Sequence, residues 1–522
     1  MAVNTLIFSV ATGLSRVAGL VREIVAARYF GTTGAASAFT LAFQVPNLVR
    51  SLFADAALSA AFVPVFTELL EHGKRREALN LAGALFGLIL AVLGVITVLF
   101  MALAGVIMPL FTSTDYTPTL DALAVGLSRV LFPILILLGL NGLLVGILNA
   151  YDHFAIPALS PLVWNVVIIA GMVGLRPLFH GDDKLYAYAI GVLAGTAVQL
   201  ALVIPPLRRV GFHLKISVHW RDPRIRQILR LMLPVTLGLG LINFDLLINT
   251  TLAFRISEQA PAAIDRAFRI YMLPQGMFSV AVATVVFPTI SRLAARRDFE
   301  GLRHTSANGV RQIGLLLIPA AAATLVLATP ITRLVYQGGS FTATSTKQVS
   351  EALFWFSFSL PFAGANLMLT RTYFSLQQPW TPTALAGASL AVNLVISLAL
   401  YGPLGIEGVV IGTAAASAAM TVGQAFFLRS RLGGIELGTT LNAIARILLA
   451  AALLGLVAYG VWSGLDSALG RSRIAQVLSV GGALAAGTAV YVAAVLALRV
   501  PEARQIFRLL SSRLGGGGSR AS

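Results

Sequence analysis

Fourteen mostly apolar stretches, each about 20 residues or longer, divide this chain and leave little sequence between them. They cover roughly 5–28, 35–67, 79–111, 119–149, 156–176, 185–206, 227–254, 262–292, 309–335, 348–376, 382–402, 406–428, 440–463 and 475–498. A helix crosses the hydrocarbon core of a bilayer with about 20 apolar residues. Backbone groups there find no water, so such stretches span as helices that bond internally. The pattern predicts an all-α polytopic membrane protein with about 14 transmembrane helices. Composition agrees: 57% of the 522 residues are hydrophobic and 11% are charged, against about 25% charged in soluble domains. The start, MAVNTLIFSVATGL, lacks a basic n-region, so the first stretch reads as a retained span rather than a cleaved signal.

The net charge of +17 follows topology better than it follows nucleic acid. With the N-terminus in the cytoplasm, the inner loops and tail hold 24 Lys and Arg and the outer loops hold 9. Cytoplasmic loops carry the excess of Lys and Arg. Both termini are therefore expected inside, in a bacterial cytoplasmic (inner) membrane, with no nucleic-acid partner.

A repeat divides the chain further. Pro46 and Pro274 are 228 residues apart, as are Pro133 with Pro361 and Asn165 with Asn393, while Pro64 and Pro288 are 224 apart. Two parallel-repeat six-helix lobes follow, at 1–206 and 227–430, with a cytoplasmic linker at 207–226. Two extra C-terminal helices fill 431–498. Residues 499–522 read as a cytoplasmic tail ending in a linker remnant, GGGGSRAS.

Five cations belong to no loop: Arg16, Arg22, Arg50, Arg129 and Arg269. A charge at the bilayer centre costs about 2.5–3.5 kcal/mol on insertion scales, so it faces a partner or a wet cavity. Arg129 is read as structural, near a helix end. Arg16 and Glu23 are seven apart and share a face of the first helix; Arg22 lies about 120° from Arg16. The second helix carries Pro46, Asn47 and Arg50, followed by Asp55. A mid-span proline frees a carbonyl and bends a helix, which suits a hinge or cavity wall. The eighth helix repeats the arrangement with Arg269, Pro274 and Gly276. Arg16, Arg22, Glu23, Arg50 and Arg269 are thus the candidate binding residues, for an anion such as a diphosphate that guanidinium forks can grip. Asp245 with Asn249, and Asn393 with Ser397, each lie four apart on one helix face. They are candidate ion-site residues or helix-bridging polar pairs.

Enzyme motifs are missing from the sequence. It has no cysteine and no P-loop, GxSxG or HExxH, so no catalytic residue, metal or cofactor is assigned. Transport work would draw on sodium, protons, the membrane potential or the cargo's own gradient. A membrane enzyme of polyprenyl phosphates, or a scaffold for wall synthesis, is the reading from another class.

The blocks SRVAGLVRE, AFQVPNLVRSLFADAALSAAFVPVF and LPQGMFSVAVATVVFPTIS resemble the MurJ/MviN family of lipid II flippases, in the multidrug/oligosaccharidyl-lipid/polysaccharide exporter superfamily. Weaker agreement covers FPILILLGLNGLLVGILNAYDHFAIPALSP and RTYFSLQQPWTP, and the resemblance extends over roughly 1–430. The resemblance implies a carrier that moves lipid-linked peptidoglycan precursor from inner to outer leaflet by alternating access, for cell-wall biogenesis and cell shape. It places Arg16, Arg22, Arg50 and Arg269 in a central cationic cavity with Glu23 as acidic partner. It also implies that the last two helices hold the lipid tail. Lipid II and membrane lipids are the expected partners, and the chain is expected to be monomeric. Ser37 stands where the family often has Asp, Asn249 where some relatives carry an acidic sodium ligand, and Gln378 where the family has an acidic turn residue. Ser37, Pro46, Asn47, Asp55, Pro274 and Gly276 complete the candidate gating or cavity positions. The alternative cargo is another polyprenyl-linked polysaccharide, or drugs.

Overall fold

The structure is a computed structural model that describes residues 2–53, 56–112, 116–151, 153, 155–209 and 222–504. Asp55 lies outside the described residues, as does the GGGGSRAS tail. In chain order the helices are α1 (Ala2–Phe30), α2 (Gly34–Phe53), α3 (Ala56–Glu71), α4 (Arg75–Ile107), α5 (Pro118–Leu131) and α6 (Ile134–Ala150). Next come α7 (Ala155–Leu175), α8 (Lys184–Arg209), α9 (Pro223–Phe254), α10 (Ala260–Pro274), α11 (Val280–Ala295) and α12 (Phe299–Val326). The last six are α13 (Ala328–Tyr336), α14 (Ala343–Ser375), α15 (Trp380–Leu404), α16 (Ile406–Arg431), α17 (Leu437–Leu469) and α18 (Arg473–Ala497).

Twelve spans among the described residues are long and apolar enough to cross a membrane. The two remaining apolar stretches are helical as well: α1, and α2 followed by α3. Several stretches that read as single helices are broken. Pro133 cannot donate to the Arg129 carbonyl, and α5 gives way to α6 there. Pro330 cannot donate to the Val326 carbonyl, and α12 stops at Val326 before α13 begins. After Pro274 one wide π turn, Gln275–Ser279, joins α10 to α11.

Packing divides the chain into two compact units: Met1–Ala262 with Gly338–Thr342, and Ala263–Gln337 with Ala343–Ser522. In the first unit α9 packs on α2 and α3, so the seventh apolar stretch sits by packing with the six that precede it. One apolar core gathers around Phe30, Phe39 and Tyr188, whose rings stack with Phe39 and Tyr188 4.2 Å apart. A second gathers around Phe62, Phe66 and Leu85, and takes Ile225, Ile228 and Met232 from the start of α9. α7 and α8 approach closely at Gly171 and Gly191, where a β-carbon on Gly171 would come within 2.7 Å of the Gly191 Cα. Small residues let spanning helices pack this near.

The second unit joins α17 and α18 to α12 through Leu315, Ile318, Ile447, Leu454 and Tyr491. Chain beyond α18 is part of this core: Val500, Glu502 and Ala503 are buried. Above that core, Arg311 Nη1 donates to Glu436 Oε2 at 2.8 Å, and His304 Nδ1 lies 2.7 Å from Glu436 Oε1. Burial pushes the Glu436 carboxyl up, but the hydrogen bonds from Arg311 and His304 outweigh it and hold the group below its ordinary range. A depressed carboxyl contributes stability above its unfolded pKa, about 4.3, and loses that contribution as pH falls through the lower folded value. The thermal midpoint of Glu436→Gln is therefore expected below that of the parent at neutral pH. The gap closes as both are measured at pH about 4 and lower.

Candidate functional site

Within the first unit α1 and α7 meet where Gly19 leaves room for Asn165. A β-carbon on Gly19 would lie 3.8 Å from the Asn165 amide, and Asn165 Nδ2 donates to Pro161 O at 2.9 Å and to Ser15 O at 3.4 Å. That approach decides what the charged residues of α1 can reach. Arg22 and Glu23 are both buried and form an ion pair, and the Arg22 guanidinium lies over the Trp164 ring at 4.8 Å. Trp164 is fixed in turn, because its indole Nε1 donates to Thr196 Oγ1 at 3.0 Å. Arg16 is exposed and makes no hydrogen bond or ion pair among the described residues. The wide angle between Arg16 and Arg22 thus separates a guanidinium open to its surroundings from one enclosed by carboxylate and indole.

On α2 the Arg50 fork closes on its own helix. Nε and Nη2 donate to Asn47 Oδ1 at 3.0 and 2.7 Å, and Asn47 Nδ2 donates to Asn243 Oδ1 on α9 at 2.8 Å. Pro46 is buried beside them. One amide therefore holds the Arg50 guanidinium through its oxygen and α9 through its nitrogen. Asp245 is half-buried and Asn249 buried, further along α9. Ser37 is fully buried, and its Oγ accepts from the Ala262 amide at 3.2 Å. That amide lies in the first turn of α10, where N–H groups lack a helical partner, so Ser37 acts there as a cap.

In the second unit Arg269 forms a two-point pair with Asp265, one helical turn earlier: Nε to Oδ2 at 3.2 Å and Nη2 to Oδ1 at 3.3 Å. Pro274 and Gly276 bracket the entry to the π turn, and Ser279 at its end is buried against Gly364. Asn393 and Ser397 are fully buried on α15. Ser397 Oγ lies 2.9 Å from Asn393 Oδ1 and 3.2 Å from the Val409 carbonyl on α16. Gly412 of α16 is pressed on both; a β-carbon there would stand 2.6 Å from Asn393 Oδ1. This geometry is that of a polar bridge between α15 and α16. Arg129 donates to the Met101 carbonyl at 3.3 Å, a tie from α5 to α4. Among the described residues no group of three or more His, Cys, Asp or Glu could hold a metal ion.

Asn243, Trp164 and Asp265 were not singled out by sequence reasoning. Asn243 and Trp164 meet their partners only after the chain folds. Asp265 did leave a signal, a carboxylate four residues before Arg269. Arg371, one of the 24 cations assigned to the inner side, lies within α14, with its guanidinium over the Phe287 ring at 5.4 Å and a donor on the Ala283 carbonyl at 3.3 Å.

The family model described as "Lipid II flippase MurJ" matches residues 26–471. A "Probable lipid II flippase MurJ" of Rhizobium meliloti is 30% identical over 92% of this chain and 90% of its own length. A "Lipid II flippase MurJ" of Burkholderia cenocepacia is 31% identical over 75% of this chain and 76% of its own. Among solved structures, a lipid II flippase MurJ in an inward closed conformation superposes with a TM-score of 0.79 at 22% identity, covering 95% of this chain and 99% of that one. An inward-facing multidrug resistance MATE transporter reaches 0.67 at 17% identity, over 81% and 94%. These two likenesses establish the fold. Sequence and apolar helices together make this a multi-pass bacterial inner-membrane protein and a transporter rather than an enzyme. The chain belongs to the MurJ lipid II flippase family.

Proposed function

We propose that this chain is a lipid II flippase that moves the diphosphate–sugar headgroup from inner to outer leaflet by alternating access. Arg16, Arg22, Arg50 and Arg269 bind the diphosphate, and the two six-helix lobes expose it to one leaflet and then the other. Both termini face the cytoplasm, the protein works as a monomer, and an ion gradient or the membrane potential drives the cycle. The observation that carries this reading is guanidinium groups seated in apolar helices of both compact units, in a chain of this family.

The local chemistry fits reversible capture. Arg50 and Arg269 keep their forks occupied by Asn47 and Asp265. An arriving diphosphate exchanges one acceptor for another and need not desolvate a bare guanidinium. Charge-assisted pairing favours the diphosphate, while the nearby acceptors keep release accessible. Asp245 and Asn249 remain candidates for the coupling ion, and the buried bridge made by Asn393 and Ser397 supports a packing role for that pair.

Alanine at Arg16, Arg22, Arg50 or Arg269 is expected to lower outer-leaflet precursor at least about tenfold, the equivalent of 1.4 kcal/mol, in cells that depend on this protein. Normal growth and normal outer-leaflet precursor for all four, at normal expression, overturn the assignment. The MATE-like fold keeps a second cargo in view, a drug or another polyprenyl-linked polysaccharide. Binding of lipid-linked disaccharide diphosphate, measured against hydrophobic cations, separates the two.

A further inference from the structure

The buried charge cluster of the second unit contains none of the residues assigned to cargo. Arg311 and Glu502 are 4% and 3% exposed, too enclosed to be a solvated surface pair. Arg311 Nε donates to Glu502 Oε1 at 2.5 Å, while Nη1 donates to Glu436 Oε2 at 2.8 Å and lies 3.4 Å from Thr440 Oγ1. One planar guanidinium thus joins three parts of the chain: α12, the start of α17, and the segment that follows α18. A guanidinium suits this task because its rigid fork fixes two acceptors at once. Further ties run alongside. Arg446 Nη1 of α17 donates to the Leu498 carbonyl at 3.1 Å, and the Tyr491 hydroxyl of α18 donates to the Leu315 carbonyl of α12 at 2.6 Å. At the other end of α17, Asp466 lies 3.9 Å from Arg333 of α13. The pair α17–α18 is therefore fastened to α12 and α13 at both ends.

We propose that Arg311 is the fastening residue that makes α17, α18 and Val500–Arg504 move with α12 as one body during transport, and that chain after α18 is a working part of the carrier. An apolar pair held only by dispersion and small-residue contact could slide against α12. A buried ion pair resists sliding, because a shift of an ångström or two strands charge in a medium that cannot solvate it.

The chain has no cysteine, so Arg311→Cys with Glu502→Cys gives a clean pair for a short bis-maleimide bridge. Unbridged, this variant is expected to retain under about a tenth of parental precursor transport, a loss of 1.4 kcal/mol or more. Bridging is expected to restore at least half, which a residue needed only for folding would not allow. Hydrogen exchange supplies a second readout: Glu502→Gln should raise exchange across 437–446 and 498–504, while α15 and α16 stay as protected as in the parent. Full transport without the bridge, no recovery with it, or unchanged exchange in Glu502→Gln each overturn the proposal. The transport arm rests on the flippase reading. Should the parent itself move no precursor, that reading fails and the exchange arm decides the fastening alone.

Discussion

Glu23→Ala is expected to destabilise the first unit by about 3–5 kcal/mol, the range seen when one member of a buried ion pair is removed. Glu23 and Arg22 are both buried, their side chains 7% and 10% exposed. Without the carboxylate, Arg22 keeps the Trp164 ring but loses the adjacent negative charge, deep in material that solvates cations poorly. The ring offsets part of the loss, since a desolvated cation–π contact is worth about 2 kcal/mol. Trp164→Leu in the same background should therefore cost more than it does alone. Glu23→Gln keeps the shape and one acceptor and should fall between parent and alanine. Thermal unfolding of purified protein measures all four. Equal midpoints for parent and Glu23→Ala would show that the pair contributes nothing net.

Alanine at Gly31 or Gly339 is expected to have the second large effect. Gly31 ends α1 at φ +59° and Gly339 sits at φ +60° in the turn before α14. A left-handed conformation costs an L-residue about 1–2 kcal/mol. Sterics add to this. A β-carbon on Gly31 would overlap the Ser340 carbonyl, and one on Gly339 would overlap the Arg28 carbonyl. Both neighbours are backbone, already held by the Ser340 amide donating to Arg28 O at 2.8 Å and by Ser340 Oγ donating to Tyr29 O at 3.1 Å. Overpacking of this kind typically costs about 1–3 kcal/mol more. Neither alanine can be absorbed by turning a side chain. Gly73, also at positive φ but with open space around it, is the control: its alanine should pay only the conformational part. Equal losses at Gly31 and Gly73 would mean that the close approach carries no energy.

Apolar stretches were readable because the bilayer admits few alternatives, and each appears as helix. Where a helix breaks was less readable. Pro133 and Pro330 interrupt helices, whereas Pro46 and Pro161 sit inside unbroken ones. The difference lies in what the surroundings do with the freed carbonyl, which local sequence does not encode. The charged residues inside apolar helices stood out for the same reason, while their partners did not. Asn47 meets Asn243 across 196 residues of chain, a pairing that no helical spacing anticipates. Glu502 falls in the stretch assigned to the cytoplasmic tail, yet it is buried on Arg311. Ser37 read as a missing acid at a gate; its burial and its bond to the Ala262 amide give it a second use, as a helix cap.

The turn Gly338–Thr342 packs with the first unit while the residues on either side of it pack with the second. A gene split at the Ala262–Ala263 boundary would therefore not yield two self-sufficient modules. The downstream fragment would carry Ser340, whose amide and hydroxyl donate to the Arg28 and Tyr29 carbonyls, which it does not encode. The upstream fragment would keep those carbonyls without their donors. Coexpressed pieces should accumulate better than either does alone, and insertion or domain-swap engineering has a safer opening elsewhere, at the exposed Gly470 between α17 and α18.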